Sequence, residues 1–499
     1  SSGVVRNAQA GMDRDRRRPV DATLTNALDG AMSIAVNIPA TIWMLLATFL
    51  VFIMVPSIGL LEAGLTRRKN VVHALMKSLS AVGIMSVVFV LFGFSLSFSP
   101  NSYGGFLGSP SDFGFGAGLD TAWPVAFDSK GGAVSGVPTS VFLLFQCMFA
   151  AVTLALVGAG VPERMKFGAW CIYSLFVSVL VWPMIAHWVW SPNGFLATLG
   201  TTTGWLPGLG VKDFAGGTVV HIQAGVAGLG ITIALGASVK RRHTITMRMQ
   251  GDGSGATVRP LSLPAGVDGA KEASERYGYS LPLAVVGTGL LWLGWFGFNP
   301  GSSLDITRQS AMAAIATNTA AALAGMVALT IARWVDGKWD PIAAISGILG
   351  GLVMITPNAG YVDPVGATIL GLLAGVVTMV AIKAMDTYLY HIDDPVGGFP
   401  VHGVNGIIGT AIVPLFANPA VSGISQAGLF YGGGSGAVTW LLLQGIGVVI
   451  ITVVSYATGW GFVKVAEAFM PVRATVAEEV AGLDLADHGV EAEVERIAA

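Results

Sequence analysis

Only 11% of the 499 residues are charged and 53% are hydrophobic, whereas a soluble domain carries roughly 25% charged residues. At a mean hydropathy of +0.69 the chain cannot cover a water-facing surface with polar groups and needs lipid as a second solvent. A formal charge of −2 argues against a nucleic-acid partner.

Residues 1–35 read as an N-terminal extension, disordered in part. The segment SSGVVRNAQAG before Met12 looks like an expression remnant or an unprocessed leader and is set aside from the fold. Beyond it, each crossing of the hydrocarbon core needs about 20 apolar residues. Such stretches lie at 40–62, 74–98, 138–160, 168–190, 213–238, 281–300, 310–333, 341–357, 364–386, 402–417 and 436–465, which makes about eleven spans. The fold class is therefore an all-α integral membrane protein, with a membrane domain at 36–466 and an acidic, weakly helical tail at 467–499. The 67 glycines suit helices that approach closely in lipid. Cys147 and Cys171 lie inside apolar stretches and read as small buried hydrophobes.

Basic residues follow the odd spans: Arg67, Arg68 and Lys69; Arg164 and Lys166; Lys240, Arg241, Arg242 and Arg248; Arg333 and Lys338; Lys383; Arg473. Loops after the even spans carry almost none. The positive-inside rule then places the N-terminus outside and the C-terminus in the cytoplasm, although Arg14, Arg16, Arg17 and Arg18 oppose this at the N-terminal end. The Gly-, Ser- and Pro-rich stretch 99–137 reads as an external loop, and the polar segment 239–280 as a flexible cytoplasmic one.

The fifth span opens DFAGGTVVHIQAGVAG (213–228) and the tenth opens DPVGGFPVHGVNGIIG (394–409). Both read Asp-x-x-Gly-Gly-x-x-Val-His-x-x-x-Gly-x-x-Gly. One span is odd and one even, so they point in opposite directions, as in an inverted-topology repeat with its site at the midplane. Eight residues at a 1.5 Å rise separate Asp from His by about 12 Å if the segment is helical. Each aspartate then sits near one membrane surface, and His221 and His402 can meet in the middle. An ionisable side chain within a span is costly and by default marks a substrate or proton path. Asp213 and Asp394 read chiefly as helix N-caps, with Asp213 also a fixed negative charge favouring a cation. Gly225, Gly228, Gly406 and Gly409 read as points of close helix approach.

With these motifs the chain resembles the Amt/Mep/Rh ammonium transporter family, in its Amt branch. Further stretches similar to the family are GLTRRKN (64–70), FQCMFA (145–150), PERMKF (162–167), PMIAHWVW (183–190), GWFGFNPGS (294–302), DDP (393–395) and, in the tail, GLDLADHG (482–489). The resemblance implies the ammonium transporter fold: eleven helices as an inverted 5+5 repeat plus a final helix, a homotrimer, and one narrow pore per subunit. It implies that Trp190, Phe149 and Ser302 form an outer recruitment site and that Phe149 and Phe298 form a stacked gate. It also implies that His221 and His402 are hydrogen-bonded twin histidines lining the pore, with Asp213 a carboxylate near the entrance and Trp295 an aromatic beside the pore. No cofactor or metal is implied, and a PII-type signalling protein is the implied cytoplasmic partner. Cys147 and Met148 depart from the smaller residues common at the gate.

Elementary chemistry is consistent with those roles. An aromatic face attracts a desolvated cation by about 2 kcal/mol, and a hydroxyl accepts an N–H that potassium cannot offer. Neutral ammonia avoids the cost of a bare cation in an apolar pore. The expected mechanism is recruitment of ammonium, deprotonation near the gate, and passage of ammonia with its proton, hence electrogenic transport. The alternatives are an ammonium sensor, for which a fused signalling domain is expected, and a passive ammonia channel of the Rh type. An enzyme is not expected, since no metal-ligand cluster, phosphate loop or nucleophile–base arrangement stands out. His187 reads as a packing residue.

Overall fold

The computed structural model describes residues 37–119, 136–242 and 278–490. The extension 1–35, most of the 239–280 loop, part of the 99–137 loop and the end of the tail lie outside the described residues. Each apolar stretch forms a helix. In chain order these are α1 (Ile38–Leu65), α2 (Arg68–Phe98), α3 (Thr139–Ala159), α4 (Phe167–Trp190), α5 (Gly217–Leu235), α6 (Leu281–Gly301), α7 (Arg308–Val335), α8 (Pro341–Ile355), α9 (Pro364–Thr387), α10 (Phe399–Val404 continued by Asn405–Ala411) and α11 (Gly434–Ala466). Among the described residues, nine of these are long and apolar enough to cross a membrane; α8 and α10 are shorter. α8 stops before Pro357 and α10 before Pro414, and neither proline can continue a helical hydrogen-bond ladder. The span expected at 402–417 therefore begins earlier, at Phe399, and is broken at Ile412.

Helix starts follow from local chemistry. Asn37, Ser280, Thr307, Asp340 and Asp363 each accept a backbone N–H of the first turn through the side chain. Prolines 39, 282, 341 and 364 sit at the first or second helical position, where no intrahelical donor is needed.

Burial sorts the helices. The apolar windows of α3 and α5 are 94% and 83% buried, against 39% for α7, α9 and α11, so α3 and α5 lie at the centre. α1 seats on α6 along a glycine seam. A Cβ at Gly64 would fall 2.5 Å from the backbone of Ala284, and one at Gly297 would fall 2.6 Å from that of Ala47. Side chains such as Val438, Leu442, Val449 and Val453 of α11 stay exposed and form a lipid-facing stripe.

The tail folds back onto the segments that follow α1, α3 and α5. The carboxylate of Asp484 accepts the N–H groups of Val72 and His73 at 3.0 and 2.7 Å, capping α2. Asp487 accepts the N–H of Phe167 at the start of α4, and Glu478 pairs with Lys166 at 2.6 Å. Arg473 donates to the carbonyls of Leu235 and Ala237 at the end of α5 and to Glu479. Deeper on this face, Arg67 pairs with Glu163 at 2.7 Å and Arg164 with Asp393 at 2.9 Å, all four side chains buried. Glu163 has φ +66°, an uncommon conformation, while its carboxylate takes two bonds from Arg67. The tail thus acquires short helices, Val476–Ala481 and Leu483–His488. Asp484→Ala should cost about 1 kcal/mol and speed trypsin cleavage of the tail several-fold. An unchanged digestion rate would show that the cap does not hold the tail.

Candidate functional site

The two repeat segments fold alike. Asp213 accepts the N–H groups of Gly216 and Gly217 through Oδ1, and those of Thr218 and Val219 through Oδ2, which also accepts the Thr218 hydroxyl. Asp394 accepts the N–H groups of Gly398 and Phe399. Gly216 and Gly397, equivalent in the repeat, have φ of +119° and +75°, a backbone that L side chains rarely adopt. The first helical stretch after each is π-helical, Gly217–Ile222 and Phe399–Val404, a feature frequent at functional sites. So the helices begin a few residues later than the aspartates, which act as caps ahead of them.

The two segments enter from opposite faces. α5 ends at Leu235, where Arg473 of the tail binds its carbonyl, whereas α10 begins next to Asp393, which accepts the N–H of Ser238 and pairs with Arg164. They cross tightly: a Cβ on Gly225 would fall 2.3 Å from the N of Gly403 and one on Gly406 3.1 Å from the N of Ile222, while one on Gly409 would fall 2.6 Å from the Met354 carbonyl O of α8. Gly228 is the looser member, with Gly160 at 3.5 Å. At the crossing, Nδ1 of His402 lies 3.3 Å from Nδ1 of His221, with ring planes 19° apart. Both rings are buried, and Nε2 of His221 has no protein partner.

The remaining predicted residues line up on both sides of this pair. Trp295 stacks on His221 at 5.6 Å and donates its indole N–H to Thr356. Phe298, one turn further along α6, lies 5.8 Å from His221 and stacks on Phe149 at 4.1 Å, 21° from parallel. Both phenylalanines are buried, so the stacked rings close the route to the histidines. Beyond them opens a cavity of about 340 Å³ lined by Phe149, Trp190, Asp213, Ser302, Gln146 and Tyr361 among others. Trp190 meets Phe149 edge-on at 5.8 Å and is held by an indole bond to the Asp213 carbonyl. Ser302 donates its hydroxyl proton to the Phe298 carbonyl, which leaves its oxygen free to accept. On the other side, His402 and Trp295 line a second cavity of about 30 Å³. It has room for one or two molecules the size of water.

All eight predicted residues therefore fall on one line: cavity, stacked rings, histidine pair, small cavity. Asp213 reaches it through its backbone carbonyl and its cavity wall, while its carboxylate is consumed by four backbone donors. Sequence reasoning missed Gln146 and Tyr361 in the larger cavity, and Glu62 and Ser346 in the smaller one. Glu62 carried a usable signal, a carboxylate within an apolar run. His187 is a fully bonded core histidine, between Ser97 and Ser102. Cys147 and Cys171 are free thiols, Cys147 buried and Cys171 half-buried.

Fold and site together define a multi-pass helical membrane protein built as an inverted repeat around a buried histidine pair. The sequence profile of the Ammonium Transporter Family matches residues 42–257 and 264–493, and the chain belongs to that family. It is 35% identical over 455 residues to an ammonium transporter of Bacillus subtilis, covering 91% of this chain and 98% of that one. It is 34% identical over 449 residues to the ammonium transporter Amt1 of Archaeoglobus fulgidus, covering 89% and 97%. Among solved structures it resembles a sensor Amt protein (TM-score 0.72, 28% identity, 90% of this chain and 98% of that one). It also resembles Candida albicans Mep2 (TM-score 0.72, 28% identity, 90% and 88%).

Proposed function

We propose that the protein is an ammonium transporter that recruits the cation in the larger cavity, deprotonates it at the stacked rings, and conducts ammonia past His221 and His402. The observation that carries this reading is the alignment of an aromatic and hydroxyl-lined cavity with the histidine pair across one ring stack. Trp190 and Phe149 offer π faces, and Ser302 offers an acceptor oxygen. Such a wall suits a small tetrahedral cation with four N–H donors. A bare charge beyond the rings is costly in an apolar interior, so the neutral species is the one to pass. Two imidazoles in contact resist carrying two charges, because desolvation and mutual repulsion both oppose it. The proton follows through the pair or an adjoining water file, and transport is electrogenic.

In this reading the larger cavity faces outside and the tail faces the cytoplasm, the orientation supported by the basic loops. The protein works as a homotrimer in the cell membrane for nitrogen uptake, and the docked tail lies where a PII-type signalling protein would bind.

The deciding experiment is the ammonium-evoked current of purified protein in liposomes on a solid-supported membrane. A saturable current absent from empty vesicles supports the reading. With no current, a vesicle pH assay decides between neutral ammonia conduction and sensing. Trp190→Leu and Ser302→Ala should each raise the half-saturating concentration about tenfold, equivalent to ~1.4 kcal/mol and within the range of a cation–π contact. Unchanged half-saturation in both would remove the cavity from the recruitment step.

A further inference from the structure

Between the short helix Leu199–Thr203 and α5, the chain from 209 to 213 has no regular structure, yet it is buried except at half-buried Lys212. Buried backbone without a helix or strand of its own must find hydrogen-bond partners in other elements. The Val211 N–H donates to the Leu196 carbonyl at 2.9 Å, and the Phe214 N–H to that of Pro357 at 3.3 Å. Between them, both backbone groups of Lys212 go to one side chain. The Lys212 N–H donates to Gln444 Oε1 at 3.0 Å, and Gln444 Nε2 donates to the Lys212 carbonyl at 2.6 Å. Gln444 lies on α11 and is fully buried. A primary amide offers an acceptor and donors side by side, so this two-point contact fixes both the position and the rotation of the chain. One turn along α11, a Cβ at Gly447 would clash with the Val211 side chain, so the segment lies directly on this helix. The next residue, Asp213, caps α5 with its carboxylate and accepts the Trp190 indole N–H at its carbonyl, at 2.9 Å.

We propose that Gln444 is a positioning residue of the larger cavity: from α11 it fixes the Lys212–Asp213 backbone, and through the Asp213 carbonyl it sets the pose of the Trp190 ring. Gln444 does not itself line the cavity, so its effect on a solute passes through these two sets of bonds. Without the clamp, the wall has to be ordered each time a solute binds, and that entropy is lost from affinity. Recruitment weakens while the later steps, past the stacked rings, are untouched. α11 stands outside the two five-helix halves, and this contact gives it a part in the site they build. The role deepens the transport reading and rests on it for the identity of the solute.

Gln444→Met keeps the side-chain volume and removes both bonds. Gln444→Asn, shorter by one methylene, cannot hold both backbone groups and is the milder change should the first variant fail to fold. Ser455→Ala, which removes a buried hydroxyl without a hydrogen-bond partner on the same helix, is the control. Ammonium-evoked currents in liposomes give half-saturation and saturated current separately, and hydrogen–deuterium exchange on the same proteins reads the Lys212 amide. Both Gln444 variants should exchange that amide about tenfold faster or more. Their half-saturating concentration should rise about threefold or more, with the saturated current per folded transporter at the wild-type level. Ser455→Ala should match the wild type in all three. A folded Gln444 variant with wild-type half-saturation, whatever its saturated current, overturns the proposal and makes Gln444 a packing residue only. Wild-type exchange at Lys212 overturns it as well. If the wild type carries no current, the transport reading fails, while the exchange rate still decides whether Gln444 fixes this wall.

Discussion

His221→Ala and His402→Ala should each reduce the discrimination between ammonium and potassium by about tenfold or more, equivalent to ~1.4 kcal/mol. The reason lies in the contact geometry. The imidazoles stand 3.3 Å apart, nitrogen to nitrogen, each positioned by a π-helical turn and a repeat glycine. His221 is also stacked against Trp295 and approached by Phe298, neighbouring rings on α6. Truncating either ring removes a hydrogen-bonding wall from the narrow stretch and leaves space that water can fill. A hydrated passage no longer forces the cation to shed its proton, so potassium can follow. The check is a pair of currents, ammonium-evoked and potassium-evoked, from the same proteoliposomes. Wild-type ratios in both variants would mean that the path bypasses the histidines. Loss of all current with intact folding would instead place them as an obligatory part of the route.

Much of this site was legible because the chemistry is rare against its background. In a chain with 7 histidines and 67 glycines, two Asp–Gly-Gly–Val-His segments stand out, and an apolar environment raises the significance of every ionisable group. The helix count followed from hydropathy alone. The limits are equally physical. Hydropathy does not register helix-breaking detail, so the π turns of α5 and α10 and the break at Ile412 were not foreseen. The aspartates read as N-caps in the sequence, and both carboxylates do accept backbone N–H groups ahead of their helices. The ring stack of Phe149 on Phe298 joins residues 149 positions apart in sequence, and a periodic pattern on either helix cannot distinguish it from ordinary packing; the family resemblance supplied it. The tail's acidic composition suggested a solvated segment. Glu478, Glu479, Asp484 and Asp487 instead meet helix starts and basic loops, a complementarity that only the folded arrangement reveals.

Asp213 is where the two views diverge most sharply, and Asp213→Asn separates them. If the side chain served as a bare negative charge for the approaching cation, the amide would fold normally and simply raise the half-saturating concentration. The geometry favours a different outcome. Oδ1 takes two backbone N–H groups at 2.7 Å each, and Oδ2 takes two more together with the Thr218 hydroxyl. An amide can present an oxygen to one of these clusters only, and it turns an NH₂ group toward the donors of the other. That leaves at least two buried backbone N–H groups without an acceptor, each costing about 1–3 kcal/mol, at the start of the helix that carries His221. The variant should therefore lose about 3 kcal/mol or more of stability and melt several degrees lower. Trp190 bonds to the Asp213 carbonyl, so its ring should loosen as well, and transport should fall with the folded fraction and with the cavity's order together. Thermal unfolding in detergent and transport in liposomes, measured on one preparation, make the comparison. A variant that melts with the wild type but binds ammonium less tightly would restore the electrostatic role. A variant that unfolds early fixes Asp213 as the residue that builds the entrance rather than the one that charges it.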